Sequence, residues 1–424
     1  MTITAKDQGI QLEADASRVL ARMFMPGESI APLRPRAEVI IDRVQALDDD
    51  EARRIGSALV ADFSPRHHDL SGILDEHAKA AIARTGDRVD SASPQYIVLG
   101  AAFTQEYAVE GAALCNPSVA PHPDQSGLAA GELRIVVSLR EIGEGHVSSL
   151  GFVSAVVTRD SWSFDARQSP LRTAGVQPSQ GSWSSYEAEF PSDSGLSQRV
   201  LLPVIGSERN GIEDARLVRF TDAAGHSDYR ATYTAYDGSS VSPRLLVSDD
   251  LVTFTSHPLT GAAATNKGVA LFPRLVNGEH LALVRSDGET NSLARSPDGV
   301  AWGHETAVRV PSFPWELVLS GNCGSPIETD KGWLVLTHGV GPMRVYSMSA
   351  ILLDLDDPTI VLGALQHPLI TSDGSKQNGY VPNVVYSCGS IEHDGTVWIP
   401  YGVGDNRIRV ASVPLAELLD ALLA

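Results

Sequence analysis

Three stretches decide the fold: TRDSWSF at 158–164, SDDLVTF at 248–254 and SPDGVAW at 296–302. Each has Ser or Thr, an Asp two residues on, and an aromatic ring four residues after that. The second and third copies start 48 residues apart, at 248 and 296. The first and second start 90 apart, at 158 and 248, close to twice that period, which implies one degenerate unit between them. A period in the forties with several strands per unit is the signature of a β-propeller. One small sheet cannot bury both of its faces, whereas sheets stacked around an axis cover one another.

Around these stretches lie short apolar runs separated by Gly, Asp, Asn and Ser turns: RIVVSLR, RATYTAYDG, HLALVR, GWLVLTHGV and TVWIPYG. They are the texture of an all-β protein. Strand pairs group into five units, centred near 115–164, 185–254, 267–302, 322–356 and 380–414, which predicts a five-bladed propeller over residues 96–424. In each unit an apolar strand ends in a polar or small residue: Arg140, Asp237, Arg285, His338, and Gly402 leading to Asp405. Corresponding strand ends of a propeller converge on one face of the axis, so a polar pocket is expected there. Residues 1–95 read differently. Ala52, Ile55 and Leu59 share a helical face, and Asp48 to Asp50 offer an N-cap, which predicts a helical N-terminal extension.

Composition narrows the function. The chain has 424 residues, a hydrophobic fraction of 43%, and 52 acidic against 33 basic side chains for a net charge of -19. With a mean hydropathy of -0.05 it reads as an ordinary globular protein. Such a charge repels a polyphosphate, and no basic run offsets it, so a nucleic-acid partner is not expected. Cys115, Cys323 and Cys388 are too widely spaced for a disulfide framework or a zinc site. No secretory leader or membrane-length apolar run is legible, which makes a cytoplasmic protein the expectation. No nucleotide loop or nucleophile elbow occurs, so no metal or organic cofactor is expected.

The segment SERNGIEDARLVRF sets Glu213 and Asp214 side by side between a glycine turn and a β-run. Neighbours on a regular strand face opposite ways, so one carboxylate is expected in the pocket and the other paired with an arginine. The segments IGSERNGIEDARL, TYTAYDG, NKGVALFP, ETDKGWLVLTHGV, AILLDLDDP and NGYVPNVVYSCGSI, followed by YGVGD, together resemble glycoside hydrolase family 130 from about residue 100 onward. That family comprises inverting β-mannoside phosphorylases, with some hydrolases, on a five-bladed propeller. The resemblance implies that Asp214 is the general acid, delivering its proton through a sugar hydroxyl, although Ala215 replaces the family's proline. An acid of this kind has to be protonated near neutral pH, which predicts a raised pKa.

Phosphate as the nucleophile needs fixed cations, whereas water needs a carboxylate base. Arg140, Lys267, Arg285, His338 and Asn116 are the expected phosphate or nucleophile site, with Arg344 beside them. The expected substrate contacts are Glu213, Tyr236, Asp237, Asp287, Asp405 and Tyr380; Tyr107, Trp315 and Tyr346 are further aromatic candidates. Should water attack, Glu144, Glu208 or Glu289 would supply the base. The function predicted is cleavage of small β-mannosides by phosphorolysis to mannose 1-phosphate, with inorganic phosphate as co-substrate and a homo-oligomer allowed. The alternatives are a β-1,2-mannosidase on the same bonds and a glycan-binding propeller without turnover.

Overall fold

The three repeated stretches are hairpin turns in the computed structural model, which describes residues 3–26, 29–31, 34–179, 181–372 and 378–424. Ser248 Oγ accepts from Leu251 N at 2.8 Å, and Asp250 Oδ1 accepts from Val252 N and Thr253 N at 2.8 and 2.9 Å. Ser296 and Asp298 repeat this on Gly299 N, Val300 N and Ala301 N at 2.9, 2.9 and 2.8 Å. Thr158 Oγ1 does the same for Ser161 N at 3.0 Å. The motif is thus a pair of side-chain-capped turns. The aromatic that closes it, Phe254 or Trp302, is buried in the core, and Phe164 is half-buried against Trp162.

The chain forms two compact units, Met1–Asp15 with Ala112–Arg167 and Thr173–Ala424, and Ala16–Gly111 with Gln168–Arg172. The larger is built of antiparallel meanders. The first runs Ala113–Pro121, Leu133–Ile142, Ser148–Val157, Trp162–Phe164; the second Gly211–Thr221, Ser227–Tyr236, Val241–Ser248, Thr253–Pro258, widened by Ser182–Glu189 and Gly175–Ser179. A single parallel pair, Gly211 with Ser148, ties these two together. The third holds Ala270–Leu271, His280–Val284, Asn291–Ser296 and His304–Arg309; the fourth Leu319–Asn322, Gly332–Val340, Tyr346–Leu353 and Val361–Ala364. The fifth has Val385–Tyr386, Thr396–Val403 and Arg407–Pro414, and its outer strand is Lys6–Glu13. Two expectations are corrected here. Among the described residues no degenerate unit fills the 90-residue interval; it carries strands of the first two meanders, Gly175–Ser179 and Ser182–Glu189 among them, and the short strands Arg172–Thr173 and Arg199–Leu201. Residues 6–13, assigned by sequence to the helical extension, are instead a strand paired with the far end of the chain.

Alternation along the strands explains the packing. Val136, Leu150 and Phe152 of the first meander pack against Tyr233 and Leu246 of the second. Val218 and Leu245 of the second meet Leu271 and Trp302 of the third. Leu283 and Leu293 meet Trp333 and Val335 of the fourth. The alternate residues Leu334 and Leu336 face Ile399 and Tyr401 of the fifth. Trp398 and Val410 then meet Ile135 and Val137 of the first, the residues flanking Val136. Both faces of a strand are therefore buried, which is why Gly332–Val340 is buried throughout and reads as an unbroken apolar run.

The smaller unit packs helices α1 Arg36–Gln45, α2 Asp49–Phe63, α3 Leu70–Thr85 and α4 Gln95–Ala102 with the strand pair Val19–Met23 and Thr104–Ala108. Asp48 caps α2 by accepting from Glu51 N at 2.9 Å, and Ala52 is buried on the face the sequence indicates. Helices α3 and α4 approach closely at Gly100, where a β-carbon would sit 2.0 Å from the Leu74 carbonyl oxygen. A last helix, α5 Leu415–Leu423, lays Leu418, Leu419 and Leu422 on the larger unit's core. Among the described residues no helix is long and apolar enough to cross a membrane.

Candidate functional site

Two β-bulges create the site. Opposite Ser227–Tyr236, pairing jumps from Glu213↔Thr234 to Arg216↔Thr232, and Asp214 takes φ 55°. In the first meander it jumps between Cys115 and Ser118, with Asn116 at φ 49°. A bulge breaks the two-residue alternation and re-aims a side chain. The regular alternation at Glu213 and Asp214 is thereby broken and both carboxylates reach one guanidinium, while the division expected between them is kept: Asp214 lines the pocket and Glu213 lies behind it, paired with Arg140. Arg140 donates from Nη2 to Glu213 Oε1 at 2.6 Å, from Nη1 to Asp214 Oδ1 at 3.1 Å, and from Nε to Ser148 Oγ at 2.9 Å. Asn116 Nδ2 donates to the same Asp214 oxygen in a short contact. Lys267 Nζ donates to Glu213 Oε2 at 2.6 Å.

Asn116, Arg140, Asp214 and Lys267 line a pocket of about 270 Å³ to which every meander contributes. The first supplies Asn116 and Arg140, the second Asp214 and Arg216, and the third Arg285 together with Lys267 from the segment entering it. The fourth supplies Leu319, His338, Arg344 and Tyr346, and the fifth Val384, Tyr386 and Asp405. Five cationic side chains thus face two lining carboxylates, with Glu213 just behind them. In a chain of net charge -19 this is a local reversal of sign.

The cations fall into two classes. Arg140 and Lys267 are committed to Glu213 and Asp214. Arg216 donates to the Cys323 carbonyl at 2.9 Å, the Asp214 carbonyl at 3.2 Å and Tyr386 Oη at 2.6 Å. Arg285 is different: its Nη1 donates to His338 Nε2 at 3.2 Å, and its buried Nε has no partner among the described residues. Burial, then Arg285 and Arg216, push the His338 pKa well below its ordinary value, so the imidazole is neutral and balances none of the Arg285 charge.

The carboxylates depart from expectation as well. Burial alone would raise the Asp214 pKa, but Arg140, Lys267 and Arg216 outweigh it and hold the group at about 2. Asp405, at φ 45° in the Gly404–Asp405 turn, is pushed up to about 6 by burial, with Arg140 opposing and the Asp214 charge adding to the rise. The raised pKa predicted for Asp214 is therefore found at Asp405, because the guanidinium contacts concentrate on the bulge.

Of the residues proposed from sequence, Asn116, Arg140, Asp214, Lys267, Arg285, His338, Arg344, Tyr346 and Asp405 come together in the pocket. Others do not line it. Asp237 caps its own turn, accepting from Ser239 N and Ser240 N at 2.8 and 2.7 Å, and Asp287 does so for Glu289 N and Thr290 N at 2.9 and 2.8 Å. Tyr236 donates to the Gly238 carbonyl at 2.9 Å and lies under Lys267. Glu144 and Glu289 are exposed on hairpin loops. Glu208 is fully buried, accepting from Tyr233 Oη at 2.6 Å and Tyr186 Oη at 3.1 Å, with Arg244 beside it. Tyr380 is 44% exposed and pairs with His146. Sequence reading missed Arg216 as a lining residue, and missed Tyr386, Leu319 and Val384, which sit in apolar runs that read as core. The one available signal was Tyr386 ending such a run before Ser-Cys-Gly.

Residues 195–423 match the model of a glycoside hydrolase family 130 domain, described as β-1,4-mannooligosaccharide phosphorylase. The chain belongs to glycoside hydrolase family 130. The family match includes Asp214, Lys267, Arg285, His338 and Asp405, while Asn116 and Arg140 precede it. A β-1,2-mannobiose phosphorylase of Listeria innocua is 33% identical over 223 residues, spanning 50% of this chain and 60% of that protein. A β-1,2-mannobiose phosphorylase of a Thermoanaerobacter species is 32% identical over 218 residues, 50% of this chain and 70% of that one. Among solved structures, a glycosyl hydrolase from Bacteroides ovatus shares the fold with a TM-score of 0.53 and 18% identity, covering 73% of this chain and 86% of that one.

Proposed function

We propose that this family 130 chain is a β-mannoside phosphorylase, cleaving a small β-linked mannoside with inorganic phosphate to give mannose 1-phosphate. The observation that carries the reading is Arg285. Its guanidinium faces a neutral imidazole, with Arg344 lining the same pocket, so it is available to an incoming dianion. A water nucleophile would have no use for such a charge and would need a base. Glu144, Glu208 and Glu289 do not line the pocket, as described above.

In this reading phosphate attacks the anomeric carbon from the face opposite the leaving oxygen. The glycosidic C–O bond breaks as the new C–O bond to phosphate forms. The bound dianion raises the Asp214 pKa, the protonated fraction of Asp214 gives its proton to the leaving oxygen, and the proton carried by hydrogen phosphate restores it. Asn116 and Arg140 hold the Asp214 oxygen in place. The cyclic order of core contacts, first meander to fifth and back to the first, supports a five-bladed propeller for the larger unit, with the helical N-terminal region as a separate domain. Three free, buried cysteines suit a cytoplasmic setting.

Product analysis tests this directly. β-1,2-Mannobiose incubated with the protein should yield mannose 1-phosphate only when inorganic phosphate is added. Free mannose released at the same rate without phosphate would replace the reading with hydrolysis, and no product under either condition would leave a glycan-binding protein.

A further inference from the structure

Two hairpin loops of the larger unit share one unusual backbone. In the fourth meander, Gly341 N bonds the Val345 carbonyl at 2.9 Å, and Met343 and Arg344 are both left-handed at φ 58° and 56°. In the first meander, Gly143 N bonds the Val147 carbonyl at 3.1 Å, and Gly145 and His146 sit at φ 73° and 61°. The left-handed region is unfavourable for a non-glycine residue, and such residues concentrate at functional sites. In the fourth meander this geometry delivers Arg344 to the pocket lining. His146 occupies the equivalent station of the first meander.

The His146 side chain is not spent on the core. It is exposed, stacks on the Tyr380 ring at 5.3 Å between centroids and 19° between planes, and makes a short hydrogen bond to Tyr380 Oη. Tyr380 is anchored beside the pocket by its neighbours. Val381 N bonds the Gly404 carbonyl at 2.8 Å, next to Asp405, and Gly379 packs so tightly on Gly404 that a β-carbon there would lie 2.3 Å from the Gly404 oxygen. Two aromatic rings from different meanders, one held in a costly conformation, thus form a fixed, water-facing platform at the pocket rim.

We propose that the His146–Tyr380 pair is a binding subsite for the sugar on the leaving side of the cleaved bond, the apolar face of its pyranose ring resting on the Tyr380 ring. This rests on the phosphorylase reading above. A phosphate dianion has no affinity for an aromatic face, so the platform serves the sugar and leaves the anion alone. His146 fixes the ring through the stack and the hydrogen bond, so that little side-chain freedom remains to be lost on binding.

The test uses the full chain carrying Asp214→Asn to stop turnover, titrated calorimetrically with β-1,2-mannobiose and, separately, with inorganic phosphate. Adding Tyr380→Ala should weaken mannobiose binding about 2- to 13-fold, the range of an aromatic contact, while phosphate binding stays unchanged. Tyr380→Phe keeps the ring and should retain most of the affinity, and His146→Ala should fall between. Unchanged mannobiose affinity in Tyr380→Ala, or an equal loss for phosphate, would overturn the subsite. If the parent binds phosphate but no mannoside, the functional reading itself falls and takes the subsite with it. Circular dichroism and Tm of each variant separate a local loss from misfolding.

Discussion

Asp214 and Asp405 carry opposite shifts, and both have consequences in solution. Held at about 2, Asp214 is ionised at neutral pH with only the protein's own groups around it. A dianion beside Arg285 and Arg344 adds negative charge near both carboxylates and raises both pKa values. At pH 6–7 much of free inorganic phosphate is the monoanion, so binding it as the dianion should release protons, part of which Asp405 takes up; the net release is visible as a dependence of the calorimetric enthalpy on buffer ionisation heat and should grow in Asp405→Asn. An enthalpy indifferent to buffer would contradict the assignment. Asp214→Asn should lower kcat by about 10²–10⁴-fold, the usual worth of a general acid. Asp405 leads to a stability prediction. Its folded pKa of about 6 lies above the unfolded value near 3.8. Between these pH values the folded state holds more protons, so stability falls as pH rises from about 4 to 6 and stays lower above. Asp405→Asn should thus raise Tm at pH 7.5, by about 2–4 °C for each kcal/mol recovered, and leave it unchanged at pH 3.5. At this scale the sequence was half legible. Asp237 and Asp287 are each followed by Gly, a turn signal that outweighs their place at strand ends, and the buried role of Glu208 depends on Tyr186 and Tyr233, which no local pattern links to it.

The elements that matter most are the two bulges and the strand junction beside them. Apolar runs and turn residues revealed the meanders, because hydrophobic period and turn chemistry are local. The bulges at Asn116 and Asp214 were not readable, because pairing with a neighbouring strand decides which residue is extra. Gly211 shows how finely the junction is set. At φ 155° it pairs with Ser148, and a β-carbon would lie 2.9 Å from the Ser148 β-carbon. Ser148 Oγ in turn accepts from Arg140 Nε. Gly211→Ala should push Ser148 aside, release Arg140 from its position on Asp214, and lower kcat by about 10- to 100-fold at a stability cost of about 1–3 kcal/mol. Steady-state kinetics with a thermal melt checks both; a drop in Tm with unchanged kcat would place Ser148 outside the catalytic geometry.

At the scale of the molecule, the fifth meander is completed by Lys6–Glu13, and Ile10 and Leu12 pack against the cluster that joins the fifth meander to the first. Removing residues 1–13 should expose the long edge Arg407–Pro414 and strip those two half-buried side chains from the cluster, at less than the roughly 1.5–3 kcal/mol of a fully buried aliphatic residue for each. A lower Tm and association through the bared edge are expected, measured by calorimetry and light scattering. The cysteines offer a second whole-molecule readout. All three are buried, and burial pushes each thiol pKa up, so a thiol reagent should label none of them until the protein unfolds. The overall class was legible in the turn motif, whereas the role of residues 6–13 was not, since only a partner four hundred residues away makes them a strand. That partnership also has a bearing on synthesis. During translation the strand Lys6–Glu13 emerges with an unsatisfied edge and waits until residues 407–414 have left the ribosome, so this pairing cannot close until the roughly four hundred residues between them have been made. Closure of this strand pair should accordingly be a late and slow step of folding.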